Sequence, residues 1–313
     1  MSHKHEHGHK HSREVESVSG ARLLFTMSLN FLITIAEIIG GIVSGSLSLI
    51  SDALHNFSDG IAIIISYAAI KIKGKPNSPK HTFGFKRSEI LAAFINSAVL
   101  VAISFYLFYE AVARLITPTE IEGKLMTIVA SVGLAANVLG TLLLKTGAKE
   151  NINIRSAYLH LLSDAVSSFA VILGGLAIYF YDIYWLDPVL TLLISAYILK
   201  ESYEITKSAI HVLMEGAPES VNLEEIKAEA EKFDAVKDIH HVHVWALGEN
   251  DIHLEAHVNV KDMPVSESDF LRKKLEKIFR EKFGVVHCTL QFECDACENK
   301  ELIASDARKS IDS

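Results

Sequence analysis

Cysteine is nearly absent: three residues in 313, Cys288, Cys294 and Cys297, all close to the end. An odd number, with two spaced C-x-x-C, argues against a disulfide framework and for metal or thiol chemistry in a reducing compartment. Positive charge is also short. Lys and Arg number 30 against 38 Asp and Glu, a net charge of −8 that comes largely from the last third and argues against nucleic acid as the partner. The N-terminus is polar and His-rich and shows no short apolar core followed by a cleavage site, so no cleavable signal peptide is expected.

What is abundant is apolar length. Half of the residues are hydrophobic, too many for a typical soluble protein. Six apolar segments, at about 21–44, 47–72, 88–116, 124–145, 153–181 and 187–211, each come near the ~20 residues that cross a bilayer core. Cations cluster on alternate connections: Lys71, Lys73, Lys75, Lys80, Lys86 and Arg87 after the second segment, Lys145, Lys149 and Arg155 after the fourth. The intervening turns are poor in cations, so the positive-inside rule puts both termini in the cytoplasm. The expected organisation is a disordered His-rich tail over 1–20 (His3, His5, His7, His9, His11), six transmembrane helices over 21–213, a soluble domain over 214–297 and a disordered tail over 298–313.

Inside two of the apolar segments the pattern L-H-x-x-S-D repeats, as Leu54-His55-Asn56-Phe57-Ser58-Asp59 and Leu159-His160-Leu161-Leu162-Ser163-Asp164. His and Asp four residues apart share one helix face. Two such faces together offer two imidazoles and two carboxylates, a four-coordinate shell for a divalent metal such as Zn²⁺. A single copy would read as a His and an Asp satisfying one another. Two copies in membrane-length segments favour function, because ionisable groups there are costly. At ~1.5 Å per residue both pairs reach the membrane interior, where a transporter needs its site. Glu37 and Asp52 also lie in the spans, as groups behind the ligands, as a proton path, or as interhelical hydrogen-bond partners. Gly40-Gly41 and Gly174-Gly175 read as close helix packing.

Beyond Gly216-Ala217-Pro218 the spacing predicts a helix over 221–234, strands over 238–247 and 251–261, an amphipathic helix over 266–283 and a strand over 285–294. The order αββαβ is that of a small open-faced α+β sandwich. Alternation puts His253, Glu255, His257 and Asn259 on the polar face of the second strand, and His287, Thr289, Gln291 and Glu293 on that of the third. His257, His287 and Glu293 either converge on a metal or are ordinary surface groups.

The chain resembles the cation diffusion facilitator family, in its zinc-transporting branch, over about 21–297. The resemblance rests on four motifs in order: Ser51 to Asp59; His81-Thr82-Phe83-Gly84-Phe85-Lys86-Arg87 with Glu89; Asn153 to His160 with Ser163-Asp164; and His211-Val212-Leu213-Met214-Glu215-Gly216. It implies a polytopic α-helical membrane protein of six transmembrane helices with a C-terminal ferredoxin-like cytoplasmic domain, working as a homodimer. It also implies a transport site at His55, Asp59, His160 and Asp164. The run Ile239-His240-His241-Val242-His243-Val244-Trp245 is similar to a family motif that makes His240 a regulatory zinc ligand beside His257, His287 and Glu293, although strand parity groups His240 with Val242 and Val244. Cys294 and Cys297 resemble a C-x-x-C that forms an additional zinc site in part of the family. The long His-rich loop of eukaryotic vesicular members is missing, which points to a prokaryotic plasma membrane.

The expected function is efflux of zinc, with cadmium or cobalt as further cargo, in exchange for protons. The partners are divalent metal ions, protons, the lipid bilayer and a second copy of the chain. A metal-gated channel or membrane metal sensor is the alternative. An intramembrane metalloenzyme needs a general base beside an open metal position, and no H-E-x-x-H lies in the apolar segments.

Overall fold

The computed structural model describes residues 30–145, 152–248, 251–297 and 300–303. The His-rich tract, Lys149 and most of the C-terminal tail lie outside these. The chain forms two compact units, one from residues up to Tyr67 with Ile95–Ile205, the other from Ala68–Phe94 with Thr206 onward.

The first unit is helical. It is built from α1 (Asn30–Ser44 as described), α2 (Leu47–Lys73), α3 (Ser88–Ile116), α4 (Gly123–Leu144), α5 (Ile152–Tyr181) and α6 (Leu186–Leu213), whose ends in part belong to the second unit. Among the described residues, α2, α3, α4 and the 157–181 stretch of α5 are long and apolar enough to span a bilayer. α6 has the length, but Lys200, Glu201, Glu204 and Lys207 confine its apolar run to the first half. Large apolar side chains such as Ile64, Phe105, Tyr109 and Phe180 are exposed, whereas Asp52, Asn56, Asn137 and Asp164 are buried. That inversion of the soluble pattern suits a solvent that cannot hydrogen-bond.

Two contacts fix the bundle locally. Asp187 at the start of α6 caps α2: its Oδ1 accepts from Ser46 Oγ (2.7 Å), Ser48 Oγ (2.6 Å) and Ser48 N (3.1 Å), and its Oδ2 from Leu47 N (2.8 Å). The carboxylate thereby satisfies orphan N–H groups and meets the positive end of the helix dipole. α4 crosses α5 closely because Gly123 faces Gly175; a Cβ on Gly123 would stand 2.8 Å from the Gly175 carbonyl oxygen.

The second unit carries α7 (Leu223–Ala230), β1 (Val236–Ala246), β2 (Ile252–Val260), α8 (Val265–Phe283) and β3 (Val285–Glu293), the predicted αββαβ order. Its sheet runs β1-β2-β3, with β1 and β2 antiparallel and β2 and β3 parallel. The core joins Ile239, Val242 and Val244, then Leu254, Ala256 and Val258, to Ile226 of α7 and Leu275 and Phe279 of α8. The polar face of the sheet is the opposite one. The α2–α3 connection belongs to this unit, where Lys86 pairs with Asp251 (3.0 Å) and Arg87 with Glu215 (3.0 Å). Part of the tail expected to be disordered is placed: His241 N donates to Glu301 O and Val242 N to Leu302 O, at 3.2 and 2.8 Å.

Candidate metal centres

Helical periodicity delivers His55 and Asp59 from α2, and His160 and Asp164 from α5, into one place. Their ligand atoms form a chain: His55 Nε2 to Asp59 Oδ2 at 3.6 Å, Asp59 Oδ2 to His160 Nε2 at 3.4 Å, and His160 Nε2 to Asp164 Oδ2 at 3.5 Å. Two donors each ~2.0–2.1 Å from a tetrahedral Zn²⁺ stand about 3.3 Å apart, so these gaps are ion-sized rather than hydrogen-bonded. Indeed Asp59 Oδ2, Asp164 Oδ2 and the outer nitrogen His55 Nδ1 are buried without a hydrogen-bond partner. The side chain of Asp164 is 4% exposed and that of His160 40%, so the cluster opens on the His160 side. Glu201 of α6 adds a charge felt at His55, Asp59 and Asp164, and is held by Tyr197 Oη (2.8 Å). Sequence reasoning passed over it, although a glutamate two turns inside a predicted span was the available signal.

A second cluster occupies the polar sheet face. Among the described residues, His240, His241, His257 and Cys297 are the one group whose ligand atoms all lie within 4.8 Å of one another. Glu293 completes it: Oε1 is 2.9 Å from His240 Nε2, and Oε2 is 3.4 Å from His257 Nδ1 and 3.3 Å from Cys297 Sγ. His240 Nε2 and Glu293 Oε1, though close, are not aligned as a hydrogen bond and are both unsatisfied. An oriented network stands behind them. Asp238 Oδ1 holds His240 Nδ1 at 2.7 Å, Asn259 Nδ2 donates to Asp238 Oδ2 (2.8 Å) and to Asp295 Oδ1 (3.0 Å), and Lys237 pairs with Asp295 (2.5 Å). Hydrogen bonds from Lys237, Asn259 and Lys300 hold the Asp295 carboxyl well below the usual carboxylate range. Burial, together with His257 and His240, pushes the His241 imidazole down, and burial with Glu293 pushes the Cys297 thiol up. Imidazoles, a carboxylate and a thiol with orphaned buried donor atoms are a set that fits zinc.

Strand parity fails at His240 because the β1–β2 register shifts between His240 and His243, and His241 takes φ 49°. This bulge lets Ile239 and Val242 both face the core while His240 pairs with His257 on the other side. His241 was missed for the same reason. One of the expected ligands, His287, is not brought to this cluster. The parallel β2–β3 register sets Gln291 opposite His257 and His287 opposite His253, four residues or about 13 Å along the strand. His287 instead rests its ring 5.1 Å from that of His253. Cys294 is exposed, and Cys297 lies in the cluster.

Bilayer-length helices around a buried His–Asp cluster, with a small αββαβ domain carrying another, define a multi-pass membrane protein for metal ions. The family models agree: the cation efflux transmembrane domain matches residues 23–214, and the cation efflux protein cytoplasmic domain matches 218–294. The chain belongs to the cation efflux family, and is a transporter of metal cations rather than an enzyme. It is 36% identical to the metal cation efflux system protein CzcD of Cupriavidus metallidurans, over 94% of this chain and 92% of the relative. It is also 36% identical to the cadmium, cobalt and zinc/H(+)-K(+) antiporter of Bacillus subtilis (92% and 93%), and 34% identical to the zinc transporter ZitB of Escherichia coli (95% of each).

Proposed function

We propose that this protein exports zinc from the cytoplasm in exchange for protons, with His55, Asp59, His160 and Asp164 holding the metal in transit. The observation that carries this is the chain of four donor atoms at 3.4–3.6 Å spacing, contributed as i, i+4 pairs by two helices of the bundle. An imidazole nitrogen or a carboxylate oxygen accepts either a metal ion or a proton, so loading the site releases protons and protonating it ejects the metal. The relatives' names support zinc, with cadmium and cobalt as neighbouring cargo, and one of those names couples the metal to protons.

The cytoplasmic cluster is read as regulatory. His240, His241, His257, Glu293 and Cys297 would hold a resident zinc, whose chemistry there is to crosslink strands. Around it the chain's own residues orient the site: Asp238 fixes the His240 ring, and Asn259 with Lys237 fixes Asp238 and Asp295. The loop cations favour both termini in the cytoplasm. Bacterial relatives favour the plasma membrane, and the cytoplasmic domain favours a homodimer.

The deciding measurement is zinc flux into proteoliposomes at zero membrane potential, with and without a proton gradient. Acceleration when the receiving side is acid, with protons leaving as zinc enters, is expected. Equal rates in both conditions would replace the antiporter by a metal-gated channel.

A further inference from the structure

Behind the four ligands the helical unit holds a second pair of carboxylates, Glu37 on α1 and Asp52 on α2, 2% and 3% exposed. The charged groups facing Glu37 are Asp52 and Asp164, and His55 faces Asp52. α4 brings the uncharged Gly133 against Glu37. The two carboxylates are treated differently. Asp52 is satisfied: Ser167 Oγ donates to its Oδ1 (2.5 Å) and Ser168 Oγ to its Oδ2 (3.2 Å). Glu37 Oε1 accepts no aligned hydrogen bond even though the Asn56 amide stands within reach of the carboxyl, and neither the Asn56 amide atoms nor the Ser51 hydroxyl complete one. Gly133 makes the room, since a Cβ there would overlap Glu37 Oε1.

A glutamate kept only to bind α1 to its neighbours would have its bonds made, because an unsatisfied polar group in an apolar interior is costly. A place cleared for a carboxylate, lined with unpaired amide and hydroxyl atoms, is polar enough for water. Carboxyl groups buried in membrane helices without a cation beside them commonly serve proton relays. We propose that Glu37 is the proton carrier of the exchange, passing protons to and from the four-ligand site through the compartment it shares with Asn56 and Asp52. This rests on the antiport reading above.

The test uses the full chain in proteoliposomes. Glu37→Gln keeps the shape and the amide-like hydrogen bonding but cannot carry a proton. It should leave zinc–zinc counterflow at equal pH little changed and cut the acceleration by a pH gradient by about tenfold or more, the scale of a lost proton-transfer group. Glu37→Asp should recover part of that acceleration. Full gradient acceleration in Glu37→Gln would overturn the proposal, and so would joint loss of counterflow and acceleration in a folded, inserted protein. If Glu37→Gln does not insert, Asp52→Asn reads the same compartment: gradient response lost with counterflow kept supports the relay, and an unchanged response overturns it. A wild-type protein indifferent to the gradient would instead sink the antiport reading, a separable result.

Discussion

His55 and His160 reach their carboxylates from helix faces, whereas His240 reaches Glu293 from a strand with Asp238 locked onto its other nitrogen. The outer nitrogen of His55 is unpartnered, while that of His240 is bonded at 2.7 Å. A ring fixed at its far nitrogen keeps its orientation and tautomer and binds more tightly. A ring left free can turn away. The membrane cluster therefore has the character of a site that must let go, and the cytoplasmic cluster that of a site that keeps its ion.

The comparison breaks most sharply if the membrane cluster is dispensable. Asp59→Ala or Asp164→Ala leaves three of four donors. Zinc flux into proteoliposomes should fall by roughly 100-fold or more, about 3 kcal/mol of lost binding at the transit site, with the protein still folded and inserted. Normal transport by either variant would move the site elsewhere. A smaller effect sharpens the helix side. His55→Asp replaces a borderline nitrogen donor with a hard oxygen and should relax selectivity, with cadmium competing better against zinc. Competition curves that do not move would remove His55 as a selectivity ligand.

These three variants rest on residues that spacing alone exposes. The i, i+4 rule is local, so His55, Asp59, His160 and Asp164 could be paired from the sequence, and so could the αββαβ order from alternating and helical periods. The cytoplasmic cluster could be read only in part, because its geometry depends on strand register. The bulge after His240 and the parallel pairing that sends His287 to His253 are set by the partner strands. Cys297 arrives from a segment beyond β3 that has no periodicity to read.

On the strand side, Asp238→Asn tests the locked ring. It keeps a hydrogen-bond acceptor for His240 but removes the charge. In a protein whose transit site is already disabled by Asp59→Ala, calorimetry should show zinc affinity of the cytoplasmic cluster reduced by about tenfold, the low end for outer-sphere partners. With the transit site intact, flux at saturating zinc should change far less than for the membrane variants. Unaltered affinity would mean that the network does not tune this cluster, and the contrast drawn above would lose its second half.

The smallest expected effect concerns His253, the buried imidazole at the other end of the same sheet face. It packs against Phe83 (5.4 Å), Trp245 (5.6 Å) and His287 (5.1 Å), and both of its nitrogens lack hydrogen-bond partners. Burial, then His287 and Lys86, pushes its imidazole below the ordinary value. Unlike His240 it has no carboxylate to welcome a proton; Asp251, which faces it, is engaged by Lys86. Because the unfolded chain takes up this proton more readily, stability rises with pH between the folded and the ordinary value near 6.5 and is lost as pH falls below about 6.5. His253→Phe keeps the aromatic packing and removes the titration. The thermal midpoint of the cytoplasmic unit, followed in the full-length protein by Trp245 fluorescence at fixed zinc, should therefore fall less steeply on acidification in the variant than in the wild type. Contributions from the other histidines are common to both proteins and cancel in the difference. Parallel slopes would show that His253 is already hydrated in the folded protein, and that the aromatic end of the sheet is as open to protons as the metal-binding end.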